Sequence, residues 1–146
     1  MTEALDRMAA ILHSAPTRLV DISDEAAAER PGEVRWSPKE VLGHLIDSAA
    51  NNHQRWVRGQ AVPLLDFPRY DQEFWVSVQA YQTERWADLV NLWLLYNRHL
   101  LHVARALPAD RLSHVVTVGD HYLTLEQWVA GYVDHLENHL RQIFGD

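Results

Sequence analysis

The chain contains no cysteine. Disulfide scaffolds, cysteine nucleophiles and thiolate metal sites are excluded, and any metal has to be held by nitrogen and oxygen ligands. Basic residues are in the minority: 13 Lys and Arg stand against 20 Asp and Glu, a net charge of −7 with histidine neutral. No basic cluster or stripe occurs, so neither nucleic acid nor an anionic membrane surface is an expected partner. Long apolar runs are missing as well. Runs such as Leu92–Tyr96 fall far short of the ~18 residues that a membrane span requires. The opening MTEALDRMAA lacks the basic-then-apolar pattern of a signal peptide, which makes the cytoplasm the expected compartment. Familiar chemical motifs are also absent. Without H-E-x-x-H there is no common zinc-protease signature, and without Glu-x-x-His no carboxylate-bridged di-iron bundle. Glycine-rich phosphate loops and a G-x-S-x-G elbow are missing too.

What is present reads as helix. A length of 146 residues suits one domain spanning 1–146 with a real core. Six tryptophans suggest a core built with large rings. The first helix is expected from Thr2 to about Ser14, with Leu5, Met8, Ala9 and Leu12 at helical spacing and Pro16 breaking or restarting it. Leu19 and Ile22 then suggest a further short helix before Pro31-Gly32. Ser37-Pro38-Lys39-Glu40 combines an N-cap serine, proline at the first helical position and a capping-box glutamate. The second helix should run from there to about Arg58. Val41, Leu42, Leu45, Ala49 and Trp56 form its apolar side, and His44, Ser48, Asn51 and Arg55 a separate polar line.

Gly59–Tyr81 is a long connection in which Asp71 caps a short helix containing Phe74 and Trp75. Such a length points to a crossover that would let the second and third helices lie parallel. The third helix is expected over Thr83–Ala106, before Pro108. One side carries Trp86, Leu89, Val90, Trp93, Leu100 and Leu107, and a second stripe carries Leu92, Leu95, His99 and His102. Two stripes suggest packing against both its own domain and another subunit. His114–Leu123, with Gly119-Asp120 at its centre, reads as a small hairpin or extended arm. Thr124 and Gln127 form another capping box for a fourth helix ending near Phe144. The expected fold is all-α: a four-helix bundle with a long crossover between the second and third helices and a small extended arm before the fourth.

Histidines carry the chemical signal. His135 and His139 are four apart on the fourth helix, about 40° apart in rotation and roughly 6 Å in rise, so both rings can reach one ion. A third histidine from another helix would leave an open coordination position, as catalytic zinc sites do. His44 is one candidate for it. His99 and His102 compete, although they lie opposite Trp86 and Trp93, which suits an interface or solvent. His53 lies about 180° from His44 on the same helix and cannot share its site. A solvated histidine pair is the alternative to any metal site.

The stretch Trp36-Ser37-Pro38-Lys39-Glu40-Val41-Leu42-Gly43-His44-Leu45-Ile46-Asp47-Ser48, followed by Asn51-Asn52 and Arg55, resembles the second-helix signature of DinB-like proteins. Tyr70-Asp71-Gln72 with Trp75 resembles their crossover segment, and His135-Leu136-Glu137-Asn138-His139 with Gln142-Ile143 their fourth helix. The resemblance implies a four-helix bundle holding a divalent metal, usually nickel or zinc, on His44, His135 and His139. It also implies frequent homodimers and a small-molecule substrate. Relatives include S-transferases using an external low-molecular-weight thiol, isomerases and metal-dependent hydrolases.

Several neighbours then acquire candidate roles. Asp47, three residues after His44, and Gln142, three after His139, are placed either to fix an imidazole tautomer or to face solvent. Asn51 and Arg55 would position an anionic substrate, or form intrahelical pairs. Tyr70 and Trp75 would wall the pocket or pack the crossover. The competing reading is a non-catalytic, stress-associated binding bundle in which metal is vestigial or structural. Its support is the second stripe of the third helix and the lack of an obvious general base.

Overall fold

The computed structural model describes residues 1–146. In chain order it contains α1 (Thr2–Val20), α2 (Asp24–Ala28), α3 (Pro38–Gly59), β1 (Leu64–Asp66), α4 (Gln72–Gln79), α5 (Trp86–Arg105), β2 (Val115–Val118), β3 (His121–Thr124) and α6 (Leu125–Phe144). Short 3₁₀ turns at Tyr81–Thr83 and Ala109–Arg111 precede α5 and β2.

Local chemistry explains where the helices start. Ser37 accepts from the Glu40 N–H, and the Glu40 carboxylate accepts from the Ser37 N–H, closing the capping box at the head of α3. Thr124 and Gln127 do the same for α6. Asp71 caps α4 through the Phe74 N–H. The first helix departs from expectation: α1 passes through Pro16 and ends at Val20. Proline in a helix interior costs about 3 kcal/mol or more. Burial of Leu12, Ala15 and Leu19 along the continuing apolar face offsets this, at about 1.5–3 kcal/mol for each fully buried leucine. The short helix that follows is α2, placed after Leu19 and Ile22 rather than on them.

The long helices α1, α3, α5 and α6 form the bundle, with α1 and α3 each packed against both α5 and α6. Lys39, near the start of α3, donates to the Glu84 carbonyl just before α5, while His53 further along meets Tyr96 and His99. Those two helices therefore run in the same direction. Their apolar faces meet in a continuous core that includes Met8, Leu42, Leu45, Trp56, Leu89, Trp93, Leu100, Leu136 and Leu140. Leu92, Leu95, His99 and His102 stand exposed on the outer side of α5. Arg7 of α1 ties down the histidine-bearing half of α6 by pairing with Asp134 at 2.8 Å and Glu137 at 2.7 Å.

The chain is mostly helical, as expected, with one small sheet in addition to the bundle. A three-stranded sheet of order β1-β2-β3 sits at one end of the bundle. The expected arm is a true antiparallel hairpin, β2 with β3, joined by Gly119-Asp120 with Gly119 at φ 58°. Glycine takes that conformation without the steric penalty a side chain would bring. β1 adds in parallel, Leu64 opposite Val115, and so joins the long connection to the hairpin. Three residues beside Pro63 offer too short a pattern to read as strand from sequence. The Gly59 carbonyl accepts from His114 Nδ1–H at 2.8 Å, and Trp128 Nε1–H of α6 donates to the Val116 carbonyl at 2.9 Å. These bonds fix the hairpin against the end of α3 and the start of α6.

Candidate metal centre

His44 projects from α3 and is 2% exposed, while His135 and His139 project from α6 and are half-buried. The α6 spacing puts the latter two on one face, and helix packing brings His44 to them from 91 residues away in sequence. One ring nitrogen from each residue lies within 4.8 Å of the other two. The rings meet edge to face, with centroids 5.0 Å (His44–His135), 4.8 Å (His44–His139) and 4.5 Å (His135–His139) apart.

Two of the ring nitrogens lie within hydrogen-bond distance of each other, and the tautomer decides which of them donates. His44 Nε2 and His135 Nε2 are 3.0 Å apart. Two imidazoles on one ion, each at about 2.0–2.1 Å, would hold their nitrogens about 2.9 Å apart at a right angle and about 3.3 Å apart at a tetrahedral one. His139 Nδ1–H donates to Gln142 Oε1 at 3.0 Å, which leaves Nε2 as its unprotonated nitrogen. His135 Nδ1 faces Ser48 Oγ at 3.5 Å. Burial, reinforced by neighbouring imidazoles, lowers the pKa of His44 to about 3 and that of His135 to about 4. Both rings are therefore neutral at pH 7, the form that binds a metal. An all-nitrogen set of three, with no carboxylate, suits a borderline ion such as zinc or nickel. The residues present fit such a group.

The remaining surroundings were set beside the histidines by the fold. A cavity of about 420 Å³ opens next to the centre, lined among others by His44, His135, Ser48, Asn52, Arg55, Tyr70 and Trp128. The Trp36 ring lies 5.2 Å from that of His44.

A sequence profile described as the DinB superfamily matches residues 4–143, nearly the whole chain. The chain belongs to the DinB superfamily. Among solved structures it is similar to YfiT from Bacillus subtilis, described as a probable metal-dependent hydrolase with an unusual four-helix bundle topology. The superposition has a TM-score of 0.85 at 20% identity and covers 99% of this chain and 86% of that one. At that identity the likeness speaks for the shared DinB fold. No curated protein matches the chain in sequence.

Within this DinB fold the other candidate residues separate. Gln142 touches His139, as its spacing suggested. Asp47 is buried rather than solvated, and no hydrogen bond joins it to His44. Its Oδ1 accepts from Tyr81 Oη and Gln79 Nε2, each at 2.7 Å. Gly43 makes this possible: a Cβ there would overlap the Tyr81 ring. Burial raises the Asp47 pKa against those two hydrogen bonds. Asn51 donates to the Asp47 carbonyl at 2.9 Å within its own helix. Tyr70 lines the cavity with its ring 5.0 Å from that of Trp75, which stands behind it. Burial, with Asp47 nearby, raises the Tyr70 phenol to about 12.

Ser48, Asn52, Trp36, Gln72 and His121 were not assigned roles from sequence. Ser48 carried a signal, one turn after His44 on the polar line. His121 carried none, because its place in the cavity wall depends on how the hairpin docks.

Proposed function

We propose that this DinB chain is a divalent-metal-dependent enzyme acting on a small molecule, with His44, His135 and His139 as the ligands and zinc or nickel as the ion. The observation that carries the reading is the convergence of three imidazole nitrogens, one on a buried ring and two on half-buried rings, beside a cavity of about 420 Å³. A divalent ion held there would supply Lewis-acid activation of a water or of an external thiol. Hydrolysis is the reaction favoured, in line with the description of YfiT. Transfer to a low-molecular-weight thiol is the second reading, and the absence of cysteine means that such a thiol would have to come from solution.

The chain's own residues have definite tasks. Gln142 holds His139 in the tautomer that presents Nε2. Ser48 faces the outer nitrogen of His135. Trp36 covers one side of His44 and limits water there. Tyr70 and Trp128 form an aromatic wall for the substrate.

The test is metal content per chain in protein purified without a histidine tag, before and after exposure to zinc or nickel. Wild type should bind close to one ion, and His135→Ala should lose it while keeping its helical circular dichroism. Wild type that takes up neither ion would end the enzyme reading. Loaded protein is then assayed on esters and amides, and on electrophiles with and without added thiol, to separate hydrolase from transferase.

A further inference from the structure

Arg55 is a buried cation without an anion. It is 6% exposed, lies one helical turn beyond Asn51 on α3, and lines the cavity beside the metal centre. No carboxylate in the chain pairs with it. A guanidinium has five N–H donors. The one bond formed here runs from an Nη1–H to Asn52 Oδ1, at a long 3.4 Å, and Nε has no partner.

Its faces are better provided for than its edge. The guanidinium carbon lies 4.7 Å from the Trp128 ring centre and 5.3 Å from that of Phe67. Stacking of this kind steadies the cation but leaves the in-plane N–H groups unsatisfied. An unpaired buried charge is among the least favourable features a fold can carry, and such charges are normally matched by a partner. Buried Glu40 is met by Arg30 and buried Lys39 by Asp24, while buried Asp47 accepts two short hydrogen bonds from Gln79 and Tyr81. The partner of Arg55 is missing from the chain, and the space beside it is the cavity that His44 and His135 also line.

We propose that the substrate carries a carboxylate, bound in the cavity by the Arg55 fork while its reactive group meets the three histidines. The inference rests on the metal-site reading above. A carboxylate suits the pocket better than a phosphate. Arg55 is the one fixed positive charge among the cavity residues. A planar carboxylate matches the guanidinium edge in two parallel hydrogen bonds. Asn52 and Tyr70 add neutral hydrogen-bonding groups to the same wall.

The experiment compares two thiols that differ in one group, 3-mercaptopropionate and 3-mercaptopropan-1-ol. Binding to zinc-loaded wild type, Arg55→Lys and Arg55→Met is followed by calorimetry. The acid should bind wild type about ten- to a hundredfold more tightly than the alcohol, the range for a charge-assisted pair. Arg55→Met should lose that preference with the alcohol unaffected, and Arg55→Lys should retain part of it. In wild type, the Arg55 Nε–H resonance should shift with the acid and stay in place with the alcohol, a readout that does not need either variant to fold. Equal affinities in wild type, an unmoved resonance, a preference that survives in Arg55→Met, or displacement of the acid by equimolar phosphate would each overturn the carboxylate assignment. Binding of the alcohol separates the two levels. If it binds and the acid gains nothing, the carboxylate inference alone falls. If zinc is not retained at all, the metal-site reading falls and takes the inference with it.

Discussion

Gln142 is exposed, yet it holds His139 Nδ1 at 3.0 Å and thereby decides which nitrogen faces the other two histidines. Partners that orient ligating histidines typically contribute 10- to 100-fold to metal affinity. Gln142→Leu should therefore lower zinc affinity by about that factor, measured by chelator competition, with little change in the thermal unfolding of the metal-free protein. An unchanged affinity would show that the ring is positioned by packing alone. His44 and His135 also make the metal-free fold acid-sensitive. Their pKa values are depressed to about 3 and about 4 from an ordinary 6.5. As pH falls below about 6.5 the unfolded chain takes up protons that the folded one refuses, so stability declines with pH down to about 4. Above about 6.5 both states hold these rings neutral and they add no pH dependence. The slope should reach up to about 1.4 kcal/mol per pH unit for each ring. Urea unfolding at pH 7.5 and pH 5 would measure it, and His44→Asn should flatten the profile. At this scale the sequence was ambiguous about burial. Ser48, Asn51 and Arg55 with His44 form a polar line on one helix, a pattern common to a solvated face and to a buried polar site.

Helix starts were legible because they are local. Ser37 with Glu40, Thr124 with Gln127, and Asp71 satisfy backbone N–H groups within three residues, so their chemistry needs no tertiary knowledge. The path through Pro16 was not legible, since it depends on what Ala15 and Leu19 pack against. Pro16→Ala would restore a helical N–H in the middle of α1. It should stabilise the protein by about 1–3 kcal/mol, seen as a higher midpoint in urea. A lower midpoint would mean that the proline ring's own contacts outweigh the missing hydrogen bond. Strands divide the same way. The β2–β3 hairpin announces itself through Gly119-Asp120 between apolar residues, whereas β1 exists as a strand through its pairing with β2.

Across the whole molecule, the three-histidine group joins α3 to α6, two helices held together otherwise by side-chain packing. An ion that binds the folded chain and not the unfolded one adds about 4 kcal/mol of stability at a thousandfold excess over its dissociation constant. Zinc should thus raise the melting temperature by several degrees in wild type and leave His135→Ala unmoved. A melting temperature insensitive to zinc in wild type would contradict a site built across two helices. No helix is long and apolar enough to cross a membrane.

From the sequence alone came the helical elements, the restriction to nitrogen and oxygen ligands, and the pairing of His135 with His139, because each follows from spacing along one helix or from residue types that are present or absent. Tertiary structure decided which third histidine meets that pair. His44, His99 and His102 all lie on helices that face the rest of the bundle or solvent according to packing, and His44 alone meets the α6 pair. It also decided that Arg55 is buried without an anion and that a sheet closes one end of the bundle. Rotation within a helix is set by local geometry, whereas the approach of groups 91 residues apart is set by how whole helices pack.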